Sequence, residues 1–181
     1  MFEHRGDLYY LWAQLEPAIN NNSNLYLSKM ANPWTLTGKQ TLLSVPEYDW
    51  ETIGFAVNEG PAVLQRKQKV FVTYSASATD ENYAMGMLWA DADADLLNGY
   101  AWHKSEKPVF VSSDTHRLYG PGHNSFTQLP NGKDVLVYHA RPYNNAGIDG
   151  DPLDNPDRHA YAQTFDFDDA GFPVFGEPGD N

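Results

Sequence analysis

Three hairpins of similar sequence recur along the chain, and this repetition restricts the fold more than any other feature. Their second strands pass through Trp12, Tyr74 and His139, which are 62 and 65 residues apart. Each hairpin joins two short runs of the apolar and aromatic residues that favour β-strands. A weak repeat of this length, with about four strands per unit, is typical of a β-propeller. We therefore predict an all-β fold built from propeller blades.

The remaining segments favour the same architecture. Short β-like runs alternate with Gly, Pro, Asn and Asp, and almost no segment has the period of an amphipathic helix. Asn20-Asn21-Asn22-Ser23-Asn24 predicts a polar loop. The repeat divides the chain, 1–181, into approximate blades at 1–50, 51–115 and 116–181 of one partial propeller domain. Because propellers typically have 4–8 blades, we expect about two and a half to three blades of a propeller that is incomplete at its N-terminus.

Composition excludes several classes of function. The formal net charge of −12 argues against nucleic acid and anionic membranes as partners. Cysteine is absent, which excludes disulfides and thiolate metal sites. No apolar run approaches the roughly 20 residues of a membrane span, and the first residues lack the pattern of a signal peptide. We expect a soluble protein, and the sequence leaves open whether its parent acts in the cytoplasm or outside the cell.

One carboxylate occupies a position that the repeat singles out. Glu59 stands before Gly60-Pro61, a pair typical of turns, at the entrance of a predicted strand. It precedes Tyr74 by 15 residues, and His123 precedes His139 by 16. The first strand of each propeller blade lines the central channel, so these two entrances should converge. We expect Glu59 and His123 to approach one another at the channel mouth; the alternative for an isolated glutamate is a solvated turn.

The same motifs resemble those of glycoside hydrolase family 43, five-bladed propeller enzymes that act on arabinose- and xylose-containing plant polysaccharides. Val57-Asn58-Glu59-Gly60-Pro61 is similar to the general-acid motif of that family. Gly120-Pro121-Gly122-His123-Asn124-Ser125-Phe126 is similar to its last-blade channel histidine motif. Tyr138-His139-Ala140-Arg141 and the segment 150–163 are most similar to members called α-L-arabinofuranosidases. These motifs follow the family order, and the resemblance extends over essentially the whole chain.

The resemblance implies a role for each candidate site residue. Glu59 would be the general acid of an inverting hydrolysis, and such an acid must keep its proton near neutral pH through burial or a neighbouring negative charge. Arg141 would face the substrate, because a guanidinium can fork onto hydroxyls or carboxylates; its alternative is a surface ion pair. Trp12, Gln14 and Phe55 are further candidates for substrate binding, and the alternative for Trp12 is packing between blades.

His123 would bind substrate or a channel water, or help to hold a central metal ion, calcium or another. One histidine is not a metal site, since zinc takes three or four ligands, and no other cofactor is expected. Asp91-Ala92-Asp93-Ala94-Asp95 does not match a calcium-binding EF-hand loop, because Leu96 stands where that loop needs glycine. We interpret it as a solvated acidic loop.

The sequence departs from the family pattern in one respect. The family also uses an aspartate base and an aspartate that tunes the acid, and neither has a matching position here. By the repeat, the tuning aspartate would lie just upstream of Phe2 and the base further upstream; Glu3 fills neither role. Two functions therefore remain: an inverting α-L-arabinofuranosidase or β-xylosidase acting on oligo- or polysaccharides, or a non-catalytic carbohydrate-binding remnant that is active only when another chain or segment completes it. Because open blades expose strand edges and apolar faces, we expect a homo-oligomer or a complementing chain.

Overall fold

The computed structural model describes residues 1–18 and 23–180, which form three antiparallel sheets of similar construction. The strands are β1 (Phe2–His4), β2 (Asp7–Leu15), β3 (Ser23–Asn32), β4 (Thr35–Leu36), β5 (Thr41–Ser44), β6 (Asn58–Arg66), β7 (Lys69–Ala76), β8 (Ala84–Asp91), β9 (His103–Lys104), β10 (Tyr119–Gln128), β11 (Asp134–Arg141), β12 (His159–Thr164), β13 (Asp166–Phe167) and β14 (Pro173–Val174). Sheet one has the strand order β1-β2-β3-β4, with β5 also paired to β3, and sheet two has the order β6-β7-β8-β9. Sheet three has the order β10-β11-β12, and a two-stranded hairpin, β13-β14, follows it.

Helical structure in the described residues is confined to 3-10 turns at Asp49–Glu51, Gly99–Ala101 and Asn145–Gly147. None of these turns has the length or the apolar composition needed to cross a membrane. The predicted all-β class is confirmed. In the predicted polar loop, Ser23 and Asn24 belong to β3, and positions 20–22 lie outside the described residues. The approximate blade boundaries drawn from the repeat stay a prediction.

Sheet two lies between the other two sheets and contributes to both hydrophobic cores. On its central strand β7, Val70 and Val72 pack with residues of sheet one, including Leu25 and Leu27. Phe71, between them, points to the opposite face and packs against sheet three. This alternation follows from the two-residue period of a strand. All of these side chains are fully buried, and burying each stabilises the fold by about 1.5–3 kcal/mol.

Glu59 lies within β6 rather than at a turn before the strand. It pairs with Ser75, and pairing resumes between Ala62 and Thr73, so β6 contains one extra residue at this point. Such a β-bulge bends the strand without ending it. The Gly60-Pro61 pair fits a bulge, because Gly60 has φ +54° and proline has no N–H to donate. The predicted turn is therefore wrong, and the same residues instead kink the strand beside the carboxylate.

The strand pairing also corrects the alignment of the repeats by one residue. β10 has a bulge on each side of the pair Gly122–His139, and the bulge after this pair is equivalent to the one that follows the pair Glu59–Ser75 in β6. Ser75, and not Tyr74, therefore corresponds to His139. A shift by one residue exchanges the two faces of a strand. Tyr74 accordingly lies in the core between sheets one and two. The match of Tyr74 with His139 in the sequence alignment is therefore displaced by one residue.

Candidate active site

Glu59 is half-buried and accepts a hydrogen bond from Tyr83, which directly precedes β8. The Tyr83 hydroxyl lies 2.6 Å from Glu59 Oε1. Tyr83 is buried, and this burial, followed by the neighbouring charge of Glu59, raises the pKa of Tyr83 well above its ordinary value. The phenol therefore stays protonated and acts as a permanent hydrogen-bond donor to one oxygen of the carboxylate.

His123 lies on the other side of the Tyr83 hydroxyl. Its Nδ1 is 3.5 Å from the Tyr83 oxygen, and its backbone N–H donates to Ser75 Oγ over 2.8 Å. Its φ of +47° is unusual for a residue with a side chain and occurs at the bulge of β10. The side chain is exposed. The structure thus brings Glu59 and His123, from the first strands of sheets two and three, to a single hydroxyl group.

The imidazole of His139 packs against the phenol ring of Tyr83. The two rings are stacked, with centroids 5.3 Å apart and planes inclined by 15°. Burial, together with the positive charges of Arg158 and Arg141 and the nearby His123, lowers the pKa of His139 from 6.5 to about 4. Its Nδ1 is buried, with no hydrogen-bond partner among residues 1–18 and 23–180. At neutral pH His139 is therefore a neutral, flat ring against which Tyr83 is held.

A buried ion pair lies beneath the start of β6. Glu51 is fully buried, and its Oε2 accepts from Lys104 Nζ over 2.8 Å and from the backbone N–H groups of Glu47 and Tyr48 over 2.9 Å each. Burial alone would raise the pKa of Glu51, but the hydrogen bond from Lys104 and those from the two backbone N–H groups outweigh it and lower the pKa below its ordinary value. Glu51 is therefore a buried carboxylate that keeps its charge.

This carboxylate fixes the residue next to Glu59. Glu51 Oε1 accepts from Asn58 Nδ2 over 2.9 Å, and Asn58 Oδ1 accepts from Ser44 Oγ over 2.6 Å. The Asn58 side chain is thus held from both ends, and it is fully buried. Buried polar groups that are satisfied in this way hold a single geometry. The network therefore anchors the strand at the point where Glu59 emerges.

A cavity of about 380 Å³ opens beside Glu59. Its volume is in the range of small-ligand sites, roughly 300–1,000 Å³. Phe55, which is 44% exposed, and Leu153, which is 61% exposed, provide apolar walls, and Thr79 and Pro152 also line it. Two carboxylate residues, Glu59 and Asp151, also line the cavity. Apolar walls beside such polar groups suit a sugar ring, whose C–H faces pack on apolar and aromatic side chains while its oxygens need polar partners.

A larger cavity, of about 550 Å³, lies at the other end of the sheets. It is lined by Arg5, Lys67 and Asp93, near the hairpin turns at which β1 and β6 end. Because β6 runs from Glu59 at one end to Arg66 at the other, this cavity is remote from the carboxylate, and the candidate site is the smaller cavity.

Arg141 directs its guanidinium to the loops that form the cavity wall. It is 2% exposed, and its Nη1 donates to the Thr79 carbonyl over 2.5 Å. Its Nη2 donates to the Pro152 carbonyl over 2.6 Å, and its Nε to Asn155 Oδ1 over 3.0 Å. Arg141 thus clamps two segments of the wall together, and its predicted contact with substrate stays a prediction.

Trp12 and Gln14 lie on a different surface. Trp12 Nε1 donates to Gln14 Oε1 over 2.9 Å, and the indole stacks on Tyr10 and Tyr26. Leu11 and Ala13, which alternate with Trp12 and Gln14 along β2, pack toward sheet two, so Trp12 and Gln14 point to the opposite face of sheet one. The structure brings Phe55 to the cavity of Glu59 but not these two residues, and their substrate contact stays a prediction.

The metal prediction for His123 can be tested against the side chains around it. Within the described ranges, no three His, Asp or Glu side chains converge as the ligands of a metal ion. His123 shares its surroundings with the hydroxyl of Tyr83 and the imidazole of His139, which is a poor donor set for calcium, a cation that takes six to eight oxygen ligands. These residues do not fit a metal centre by themselves.

Tyr83 and Ser75 were not singled out from the sequence, although the strand pattern carries a signal for both. Ser75 lies opposite Glu59 in the β6–β7 hairpin, and the pair Ala76–Ala84 brings Tyr83 to the same end of the sheet. The side-chain directions depend on the bulge, which the pattern does not reveal.

A model for glycosyl hydrolases family 43 matches residues 1–173. An extracellular exo-α-(1→5)-L-arabinofuranosidase of Streptomyces avermitilis is 53% identical over 178 residues, which are 98% of this chain and 37% of that protein. The α-L-arabinofuranosidase 43 of Humicola insolens is 49% identical over 179 residues, again 98% of this chain and 37% of that protein.

Solved structures show the same similarity. An α-L-arabinofuranosidase from Lactobacillus brevis is 58% identical with a TM-score of 0.93, over 98% of this chain and 54% of that one. A thermostable family-43 glycoside hydrolase is 29% identical with a TM-score of 0.78, over 97% and 56%. Such structural neighbours are propeller enzymes, so the predicted propeller fold is confirmed. The chain spans about half the length of these solved structures and 37% of the two curated relatives.

Proposed function

Since the chain belongs to glycosyl hydrolases family 43, we propose that it carries the general acid of an α-L-arabinofuranosidase and that this acid is Glu59. One observation carries the proposal: Glu59 is held through one oxygen at the edge of a partly apolar cavity of suitable size for a sugar. The names of the relatives from Streptomyces avermitilis, Humicola insolens and Lactobacillus brevis support the substrate class.

The chemistry assigned to Glu59 is proton donation to the leaving oxygen. Hydrolysis with inversion needs one protonated carboxyl and one carboxylate that activates water on the opposite ring face, roughly 6.5–9.5 Å apart. The walls at Phe55 and Leu153 would hold the sugar and exclude water from the proton donor, and the clamp at Arg141 would keep the second wall in place. Proton transfer by Glu59 requires no cofactor, and an ion beside His123 would need ligands beyond the residues described here.

The two aspartates of the family site are assigned to polypeptide outside residues 1–181, because this sequence has no position that matches either. On this proposal, the chain alone binds the sugar without hydrolysing it, and a complementing segment that carries both aspartates restores the site. A homo-oligomer would cover the open blade edges without supplying them, because a second copy has no matching aspartate either. The aromatic face formed by Tyr10, Trp12 and Tyr26 supports such an association, since it lies opposite the face that packs on sheet two. Light scattering that shows a monomer which does not associate with a complementing chain would contradict this part of the proposal.

The relatives favour α-L-arabinofuranosides over β-xylosides as substrates. Two relatives from Streptomyces species are named as extracellular exo-α-(1→5)-L-arabinofuranosidases, which also favours action outside the cell. The structural neighbours named as xylanase and xylosidase are 21% and 13% identical and bear on the fold alone.

The test uses residues 1–181 alone and a completed enzyme, in which they are joined to the part of the Lactobacillus brevis arabinofuranosidase that this chain does not match. Both are assayed on 4-nitrophenyl α-L-arabinofuranoside, on the corresponding β-D-xyloside and on α-1,5-linked arabinobiose. We expect the completed enzyme to hydrolyse the arabinosides and the chain alone to hydrolyse none. Glu59→Gln should lower kcat/KM on arabinobiose by at least about 100-fold, because general acid catalysis contributes 10²–10⁴-fold. Glu177→Gln, whose carboxylate instead accepts from Ser113, is the matched control. Full activity of Glu59→Gln on arabinobiose would overturn the proposal.

A further inference from the structure

We propose that Tyr83 is a positioning residue that determines which oxygen of Glu59 carries the transferable proton. The inference rests on the proposed role of Glu59 as the general acid and assigns to that site a residue that the sequence motifs do not include. Its basis is the 2.6 Å hydrogen bond from the Tyr83 hydroxyl to Glu59 Oε1.

The direction of this hydrogen bond decides the position of the proton. Tyr83 is buried beside a carboxylate, which raises its pKa, so the phenol keeps its own proton and donates it to Oε1. If the proton of the Glu59 carboxyl were on Oε1, it would point at the hydrogen of the Tyr83 hydroxyl, and the hydroxyl would have to rotate and lose its hydrogen bond to Oε1. The Ser75 hydroxyl also lies at the phenol oxygen and can donate to it. His123 Nδ1 is 3.5 Å away, beyond a normal O–H···N distance. The acid form of Glu59 therefore carries its proton on Oε2.

The catalytic step then uses the two oxygens differently. The Oε2–H bond breaks, and its proton passes to the glycosidic oxygen as the bond between that oxygen and the anomeric carbon breaks. A water activated by the second carboxylate of the completed enzyme bonds to that carbon from the opposite face and gives up its proton to this base. The bonding pair of the C–O bond stays with the leaving oxygen, and Glu59 becomes a carboxylate whose Oε1 still accepts from Tyr83. Because the negative charge appears on a carboxylate that already receives a hydrogen bond, the donor also favours the product of proton transfer.

Packing around the ring leaves Tyr83 a single orientation. A Cβ at Gly122 would lie 2.5 Å from Tyr83 Cε1, so the phenol ring occupies the space that only a glycine leaves open. His139 covers the ring with a stacking distance of 5.3 Å. The titratable and charged groups that face Tyr83 are Glu59 on β6, His123 on β10, His139 on β11 and, through its field, Arg158. Of these, Glu59 is the group to which the hydroxyl donates at short range.

Substrates with different leaving groups distinguish a role of Tyr83 in proton placement from a purely structural role. An arabinose hydroxyl leaves poorly unless it is protonated, whereas 4-nitrophenolate leaves without an acid. We therefore compare Tyr83→Phe with the parent in the completed enzyme, on arabinobiose and on 4-nitrophenyl α-L-arabinofuranoside. The ratio of kcat/KM for the two substrates is taken from one preparation, so it does not depend on the fraction of folded protein. Tyr138→Phe is the matched control, since Tyr138 is also buried but donates to Gln163.

We expect Tyr83→Phe to lower kcat/KM on arabinobiose about tenfold more than on the nitrophenyl substrate, a part of the 10²–10⁴-fold contribution of a general acid. Equal losses on both substrates would overturn the role of Tyr83 and leave that of Glu59 intact. The absence of a leaving-group effect in Glu59→Gln would overturn the proposed function itself, and the two failures are thereby distinguished.

Discussion

Gly60 lies against the imidazole of His123 so closely that a Cβ on Gly60 would stand 3.0 Å from His123 Cγ and Nδ1. The two residues belong to the first strands of neighbouring sheets, and both lie at bulges with positive φ. Each bulge bends its strand locally. The contact thereby sets the distance between the candidate acid and the histidine strand.

Gly60→Ala should destabilise the fold by about 1–3 kcal/mol, because it combines the strain of a positive φ of +54° with a clash against His123. Gly132→Ala is the control: it has φ +83°, but its Cβ would meet nothing within 4 Å. The free energy of unfolding of both variants is measured in urea. Equal losses in the two variants would show that the contact with His123 does not restrict this position.

Glu51→Gln should destabilise the protein by about 3 kcal/mol, because it leaves Lys104 without its buried partner. The lowered pKa of Glu51 means that the pair stabilises the fold above about pH 4.5, the ordinary value, and that this contribution is lost as pH falls through the folded value. Unfolding free energies from pH 7 to pH 3 should therefore fall less steeply for Glu51→Gln than for the parent. Asp7→Asn, which removes the exposed pair with Lys29, should have little effect. A steep acid loss that persists in Glu51→Gln would refute the assignment.

His139→Phe should remove a different part of the pH dependence. Since the folded pKa is about 4 and the ordinary value 6.5, the unfolded chain binds a proton in this window that the folded chain does not. The parent should therefore lose stability as pH falls from 6.5 to about 4, on the order of 2 kcal/mol after allowance for partial solvent exposure. His139→Phe keeps a flat ring on Tyr83 and should not show this loss. His103→Phe, an exposed histidine stacked on Trp89, is the control and should retain it.

Arg141→Lys should loosen the cavity wall, because an ammonium cannot replace three guanidinium donors that point to Thr79, Pro152 and Asn155. Backbone amide exchange at residues 151–155 should accelerate, and KM of the completed enzyme should rise more than kcat falls. Arg158→Lys, in which the wall loses one donor to Leu153, should have a smaller effect. Unchanged exchange together with a large loss of kcat would indicate instead that Arg141 acts directly on the substrate.

The sequence predicts the fold further than it predicts the site. The hairpins and their repeat are local patterns, and they lead correctly to an all-β propeller. The buried charge of Glu51 could not be predicted, because its partner Lys104 is distant in the chain and an unpaired glutamate is ordinarily exposed. The bond from Tyr83 to Glu59 depends on a bulge that exchanges strand faces, and a pattern of period two does not show where such a bulge lies. Arg141 could be placed at a strand end, but its direction depends on loops without periodicity.

The most direct test of the central claim, that Glu59 is the proton donor, is a leaving-group series in the completed enzyme. Arabinofuranosides whose leaving groups range from dinitrophenol to a simple alcohol are hydrolysed by the parent and by Glu59→Gln, and log kcat/KM is plotted against the pKa of the leaving group. We predict a shallow slope for the parent and a steep one for Glu59→Gln, with the two converging at dinitrophenol and differing by at least about 100-fold at the alcohol. Parallel lines for the two proteins would contradict the account, because they would show that protonation of the leaving group does not depend on Glu59.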